Sequence, residues 1–258
     1  MNKNSKLPGF ATRAIHVGQE PDLESGAISP PIHPTSTYVQ QEIGKNKGYE
    51  YARVSNPTRT RLEENLAALE GGITSRVFAS GMAAINAICT MYKSGNHVVC
   101  GHNLYGGVPR LFNQILTGYG IEFTYVDTSE VRNVERAIRK RTRMVYLETP
   151  TNPLMALSDI EAISKVCRGK NVELVVDNTF LSPYFQQPIA LGADMVVRER
   201  KVGFSVINIV FRPLVRFIWA YFFRMGFLDG REGLIVLMNH AAYVSWKYTK
   251  AWQKSKAQ

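Results

Sequence analysis

From residue 76 onward the chain alternates between two rhythms. Short runs rich in β-branched and aromatic residues, RVFAS (76–80), HVVCG (97–101), IEFTYVD (121–127), MVYLETP (144–150), ELVVDNTF (173–180) and ADMVV (193–197), stand apart from longer stretches. Those stretches are GMAAINAICTMYK, GGVPRLFNQILTGYG, VRNVERAIRKR and LSDIEAISKVCRGK, and their apolar residues return every three or four positions. The short runs predict strands buried on both faces, and the longer ones predict helices between them. The expected fold class is therefore α/β, a mostly parallel sheet with helices on both faces.

Upstream, SNPTRTRLEENLAALEGG predicts a further helix with its own punctuation. Asn56 is placed as N-cap, Pro57 takes the first helical position, Leu62, Leu66 and Leu69 form one face, and Gly71 and Gly72 end it. Residues 1–50 are broken by Pro21, Pro30, Pro31 and Pro34 and by Gly18, Gly26, Gly44 and Gly48. They predict an extended, turn-rich arm. The start, MNKNSKLPGF, has no apolar run behind its lysines, so neither a secretory signal nor a membrane anchor is expected and the default location is cytoplasmic.

Composition adds a boundary. Over 258 residues the chain is 45% hydrophobic and 20% charged, which is ordinary for a globular protein, but its net charge is +10. Residues 198–258 hold 11 Lys/Arg against 3 Asp/Glu, and residues 1–197 hold 20 against 18. The basicity thus belongs to the tail, as do Trp219, Trp246 and Trp252, and it gives no reason to expect nucleic acid as a partner of the α/β part. In the tail, VGFSVINIVFRPLVRFIWAYFFRMGFLDG is interrupted by Arg212, Pro213, Arg216 and Arg224, so no clean membrane span is expected, and YVSWKYTKAWQKSKAQ suits a basic amphipathic helix. Three readings of this tail stay open: a membrane-surface or nucleic-acid element, sequence without selected structure, and a continuation produced by a frameshift, unspliced intron or assembly error. Cys89, Cys100 and Cys167, like the five histidines, lack ligand spacing, so no disulfide framework or metal site is expected.

Candidate chemistry gathers after the strands, where open α/β sheets bind ligands. Ser80-Gly81-Met82 opens a helix, where first-turn N–H groups and the helix dipole favour a phosphate. Tyr105 stands beside two glycines, Asn152 lies between prolines, and Asp177 ends an apolar strand with Thr179 two residues on. Each taken singly has a bland explanation as cap, turn or packing. A carboxylate at the end of a buried strand is harder to dismiss, because it needs a cationic or hydrogen-bonding partner. Together the four offer an anion cradle, an aromatic plate, an amide and an acid, which match the needs of pyridoxal 5'-phosphate.

The segments FATRAIHVGQEPD, PPIHPTSTY, YARVSNPTRTRLE, LEGG, FASGMAAI, LYGGVPRLF, ETPTNP and VVDNTFLSPYFQQPIALGADMVV resemble, in order and over residues 9–197, the pyridoxal-phosphate-dependent enzymes of Cys/Met metabolism, such as cystathionine γ-lyase and γ-synthase. The resemblance implies an aminotransferase-like (fold type I) large domain over residues 51–197, left incomplete and without the small C-terminal domain. It implies a homo-oligomer, a dimer-based tetramer acting on a small amino-acid substrate. It also implies that Gly81 and Met82 meet the cofactor phosphate, Tyr105 stacks on its ring as a catalytic residue, Asp177 and Thr179 lie at the ring nitrogen, and Asn152 lies near the phenolic oxygen. By the same resemblance Arg110 is near the substrate, and Tyr51 and Arg53 reach a neighbouring subunit's cofactor. The arm segment ATRAIHVGQEPD leans toward γ-lyase, with γ-synthase and methionine γ-lyase as alternatives.

The resemblance breaks after Val197. A Ser-x-Thr-Lys segment is expected there, carrying the Schiff-base lysine, and the chain has Arg198-Glu199-Arg200-Lys201. Lys201 stands one position early, which on a strand turns a side chain to the opposite face. An inactive and poorly soluble chain is expected, or a non-catalytic partner subunit.

Overall fold

The computed structural model describes residues 8–152 and 154–198. Its centre is a five-stranded, wholly parallel sheet of β1 (His97–Gly101), β2 (Glu122–Val126), β3 (Thr142–Glu148), β4 (Glu173–Asp177) and β5 (Met195–Val197), in the spatial order β2-β1-β3-β4-β5. The helices are α1 (Phe10–His16), α2 (Pro57–Glu70), α3 (Gly81–Cys89), α4 (Gly107–Gln114), α5 (Val131–Ala137) and α6 (Ile160–Gly169). The expected α/β architecture is present, with two separate apolar layers produced by the period-two alternation of strand side chains.

On one face Val98, Cys100, Met144, Tyr146, Val175 and Val197 pack with Ile85 and Cys89 of α3 and Val108 and Phe112 of α4. On the other, Val99, Val145, Leu147, Leu174 and Val176 pack with Val134 of α5 and Ile160, Ile163 and Cys167 of α6. Phe112 anchors the first layer: its ring stacks on Phe123 at 4.6 Å and meets Tyr146 edge-on at 5.6 Å. Truncating so buried an aromatic typically costs about 3–5 kcal/mol.

Several boundaries differ from the sequence reading. RVFAS (76–80) is not a strand: the Val77 N–H donates to Glu63 Oε1 at 2.9 Å, so this backbone is satisfied by a side chain of α2 instead of by a ladder. The strands stop short of their flanking turns, and β3 begins two residues earlier than read, at Thr142. Helices α3 to α6 are each shorter than the stretch read for them; GGVPRLFNQILTGYG divides into α4 and a 3₁₀ turn over Leu116–Tyr119.

In α2 the punctuation is as read. Asn56 Oδ1 accepts from the Thr58 N–H at 2.9 Å, and Gly71 ends the helix at φ 72°. The apolar stripe is not as read, since Leu62 is 47% exposed while Asn65 and Glu70 are buried. Asn65 has a specific task. Its amide donates to the carbonyls of Arg13, Ala14 and Val17 at 3.1, 3.3 and 2.8 Å, closing the end of α1, a helix that the arm's prolines and glycines had hidden. Gly18 follows with φ 68°, and a Cβ there would lie 2.4 Å from the Arg61 carbonyl oxygen.

Among the described residues no helix is long and apolar enough to cross a membrane, and no His/Cys/Asp/Glu group is placed to hold a metal ion. The three cysteines are buried and unpaired. The readings of the tail beyond Arg198 lie outside the described residues.

Candidate functional site

In the order β2-β1-β3-β4-β5, the chain leaving β1 turns one way to β2 and the chain leaving β3 turns the other way to β4. Connections that diverge open a crevice at the carboxyl end of the sheet, here between β1 and β3. The sequence candidates Tyr105, Asn152 and Asp177 follow or end β1, β3 and β4. Gly81 and Met82 start α3, which lies over the same face of the sheet.

Asp177 is 6% exposed. Its Oδ1 accepts from the Thr179 N–H at 3.1 Å and hydroxyl at 2.7 Å, and its Oδ2 accepts from the Tyr146 hydroxyl at 3.1 Å. These hydroxyl and N–H donors answer part of the requirement for partners. Thr179 reaches Asp177 through a local turn. Burial and the Asp177 charge push the Tyr146 phenol well above its ordinary range, so it stays a donor.

Across the crevice, Tyr105 is 48% exposed. Its ring and the Met82 thioether converge over Gly107: a Cβ on that glycine would lie 2.7 Å from Tyr105 Cε1 and 2.9 Å from Met82 Sδ. The glycine leaves room for ring and thioether together. Ser80 caps α3, its hydroxyl accepting from the Ala83 N–H at 3.1 Å, while the N–H groups of Gly81 and Met82 belong to the first turn and have no intrahelical acceptor. The cap reading and the anion-site reading of this segment are therefore compatible.

Sequence reasoning passed over Glu148. It is 4% exposed, it ends β3 directly beside Asp177 in the ladder, and its Oε2 accepts from the Tyr105 N–H at 2.7 Å. Burial pushes its pKa up to about 7, the Asp177 charge adds to that, and the backbone N–H groups of Tyr105 and Asn152 oppose it. The available signal was an acid ending an apolar strand, the same one that exposed Asp177.

The other candidates lie elsewhere. Arg110 is exposed on α4 and its Nε donates to the Gly106 carbonyl at 3.0 Å. Arg53 lies over the Tyr51 ring at 4.8 Å, and among the described residues neither of the two hydrogen-bonds to the cluster at the crevice. Arg198, the first residue after β5, pairs with Glu70 of α2 and donates to the carbonyls of Asn178, Leu181 and Gln186. Burial lowers its pKa to about 10, so it remains a cation at neutral pH.

An exposed aromatic plate, a helix start with free donor capacity and a buried, donor-held carboxylate around one crevice have the chemical character to receive a flat, phosphorylated heteroaromatic ring. Comparison with known proteins gives that character a family. The sequence model described as "Cys/Met metabolism PLP-dependent enzyme" matches residues 11–200, and the chain belongs to this family of pyridoxal-phosphate-dependent enzymes. A probable cystathionine γ-synthase of Herpetosiphon aurantiacus is 51% identical over 191 residues, covering 74% of this chain and 60% of that protein. A cystathionine β-lyase of Lactococcus lactis subsp. cremoris is 46% identical over 193 residues, covering 75% of this chain and 51% of that protein. Among solved structures, the cystathionine γ-lyase of Lactobacillus plantarum complexed with L-serine superposes with a TM-score of 0.71 at 34% identity, covering 93% of this chain and 63% of that one. The chain spans about half to three fifths of the length of these curated relatives.

Proposed function

We propose that residues 51–197 of this chain form a bed for pyridoxal 5'-phosphate, that residues 1–50 are an arm and residues 198–258 a separate tail, and that the parent activity is cleavage or exchange at the γ-carbon of cystathionine or a related sulfur amino acid. The observation that carries the reading is Asp177, buried and held by Tyr146 and Thr179 at the mouth of the crevice that Tyr105 overlooks. The bound cofactor supplies an electron sink for bonds made and broken on the amino acid. Gly81 and Met82 offer backbone donors to its phosphate, Tyr105 covers its ring, Asn152 stands beside its phenolic oxygen, and Asp177, with Thr179, holds a proton on the ring nitrogen. Arg110 is assigned to the substrate by the family resemblance. The γ-lyase type is favoured by the arm sequence ATRAIHVGQEPD. Relatives named γ-synthase and β-lyase keep the neighbouring reactions within range, along with methionine γ-lyase activity.

The chain itself does not turn over substrate in this reading, because Arg198-Glu199-Arg200-Lys201 follows β5 where the cofactor's lysine is expected. That lysine is nucleophile and proton carrier at once, and general acid–base catalysis alone is typically worth about 10² to 10⁴-fold in rate. A second reading, a non-catalytic partner in a homo- or hetero-oligomer, draws on Tyr51 and Arg53. Arg53 lies over the Tyr51 ring, and among the described residues neither hydrogen-bonds to the cluster at this chain's crevice, which suits a role in a neighbour's site. Two measurements test the pair of readings. Pyridoxal 5'-phosphate is added, the mixture is reduced with borohydride and the labelled residues are mapped, while thiol release from cystathionine is followed; no stoichiometric label and no turnover are expected. A stoichiometric label on Lys201 with turnover overturns the inactive reading. Failure to co-purify with a co-expressed intact homologue removes the partner reading.

A further inference from the structure

The Tyr105 segment and the Asn152 segment leave neighbouring strands in diverging directions, and between the two loops the Asn103 Nδ2 donates to the Thr151 hydroxyl at 2.9 Å. Glu148 adds a second tie, to the backbone of Tyr105 itself. Its carboxylate, on the last residue of β3, accepts the Tyr105 N–H from the loop after β1 at 2.7 Å, and the Asn152 N–H, four residues along its own chain, acts on its pKa as a nearby donor. It is buried and makes no ion pair with a cation among the described residues, so ordinary packing gives no reason for a carboxylate at this position.

We propose that Glu148 is a positioning residue, a buried clamp that, when ionised, holds the Tyr105 segment against the end of β3 so that the Tyr105 plate stands where it receives the cofactor, and that loosens when protonated. The clamp rests on the pyridoxal-phosphate reading for its purpose, though its geometry stands without it. An ionised carboxylate gives the Tyr105 N–H a charge-assisted bond, and protonation removes that charge and turns one oxygen into a hydroxyl donor, so the bond weakens. The groups that face Glu148 set when this happens. Asp177 on β4 raises its pKa, and the Tyr146 phenol, on the same strand, is itself raised in part by the Glu148 charge. The loop after β1 brings the Tyr105 N–H, which lowers the pKa, while His102 in that loop turns its ring to the Val126 carbonyl at 3.1 Å. With the pKa pushed up to about 7, the switch lies inside the neutral range.

The test uses the full chain and pyridoxine 5'-phosphate, which carries the ring and phosphate but no aldehyde and so reports the bed without lysine chemistry. In the absence of ligand, the Tyr105 amide proton followed by NMR is expected to titrate with a midpoint near pH 7 in the wild type and to lose that transition in Glu148→Gln. In the wild type, affinity for pyridoxine 5'-phosphate is expected to rise between pH 6 and pH 8 by about tenfold more than in Glu148→Gln, a slope that removes the ligand's own titration. Glu148→Asp keeps the charge on a shorter stem and is expected to retain a titration while binding the ligand about threefold to tenfold more weakly at pH 8; it carries the test if Glu148→Gln does not fold. A Tyr105 amide that does not titrate, or equal affinity slopes in the wild type and the glutamine variant, overturns the clamp. A titrating amide with no ligand binding at any pH supports the clamp and overturns the cofactor reading.

Discussion

The two ends of the sheet bury polar groups in opposite ways. At the amino end His97 is fully buried, and its two ring nitrogens are each 2.8 Å from a threonine hydroxyl, Thr142 on β3 and Thr124 on β2, so one imidazole staples three strands. At the carboxyl end Asp177 and Glu148 sit side by side in adjacent strands, held by O–H and N–H donors and facing a crevice. The first network is closed within the protein: each ring nitrogen is used, and the Thr142 and Thr124 hydroxyls also accept from the Arg139 N–H and Nη2. The second concentrates two acids at the carboxyl edge, where the connections diverge, an arrangement that costs stability.

Their pH linkages run in opposite directions. Burial lowers the His97 pKa from 6.5, so the unfolded chain takes up its proton first as pH falls, and this contribution to stability is present above about pH 6.5 and lost below it. Glu148 goes from 4.5 unfolded to about 7 folded, so its contribution is fully present below pH 4.5 and is lost as pH rises to about 7. The cost of an ionised Glu148 above pH 7 comes to about 3 kcal/mol at most.

The sharpest way to break the comparison is Asp177→Asn. It keeps the shape and removes the charge, and should weaken pyridoxine 5'-phosphate binding about 10²-fold while leaving the melting temperature near the wild type. If affinity is unchanged, the carboxyl end is no more a binding site than the amino end. Next is His97→Ala, which empties a buried position and leaves Thr124 and Thr142 without their bridge. A loss of about 3 kcal/mol in denaturant unfolding is expected, with ligand affinity unchanged. A joint loss of stability and affinity would make the two ends one unit.

Gly107→Ala comes third. Alanine is acceptable to the helical backbone of α4, but its methyl meets the Tyr105 ring and Met82, so a loss of about tenfold in affinity is expected with little change in stability. Tyr146→Phe is the smallest. It removes one donor from Asp177 and should cost about 1 kcal/mol in stability and under tenfold in affinity.

The amino-end network was not legible in the sequence, and most of the carboxyl end was. HVVCG announced a strand, yet nothing in it says that His97 meets threonines from two other strands, since that depends on register across three separate segments. Tyr105, Asn152 and Asp177 were legible because a ligand edge is defined by chain position alone: the residues that follow strands. Glu148 follows the same rule and lay within the quoted MVYLETP, but its hydrogen-bond partner is the backbone N–H of Tyr105, which no residue pattern displays. RVFAS failed for a related reason, because its Val77 N–H turns to Glu63, a helix side chain earlier in the chain. Tyr51 and Arg53 could be named only by resemblance, and their contact with each other gives no local clue to a ligand.

The most direct test of the account is a calorimetric titration of the full chain with pyridoxal 5'-phosphate and, separately, with pyridoxine 5'-phosphate at pH 8. A bed without its lysine predicts one reversible site per chain for each ligand, with affinities equal to within about tenfold, a difference of about 1.4 kcal/mol. The contradicting result is either no saturable site for pyridoxine 5'-phosphate, or binding of pyridoxal 5'-phosphate that is orders of magnitude tighter and is not reversed by dialysis.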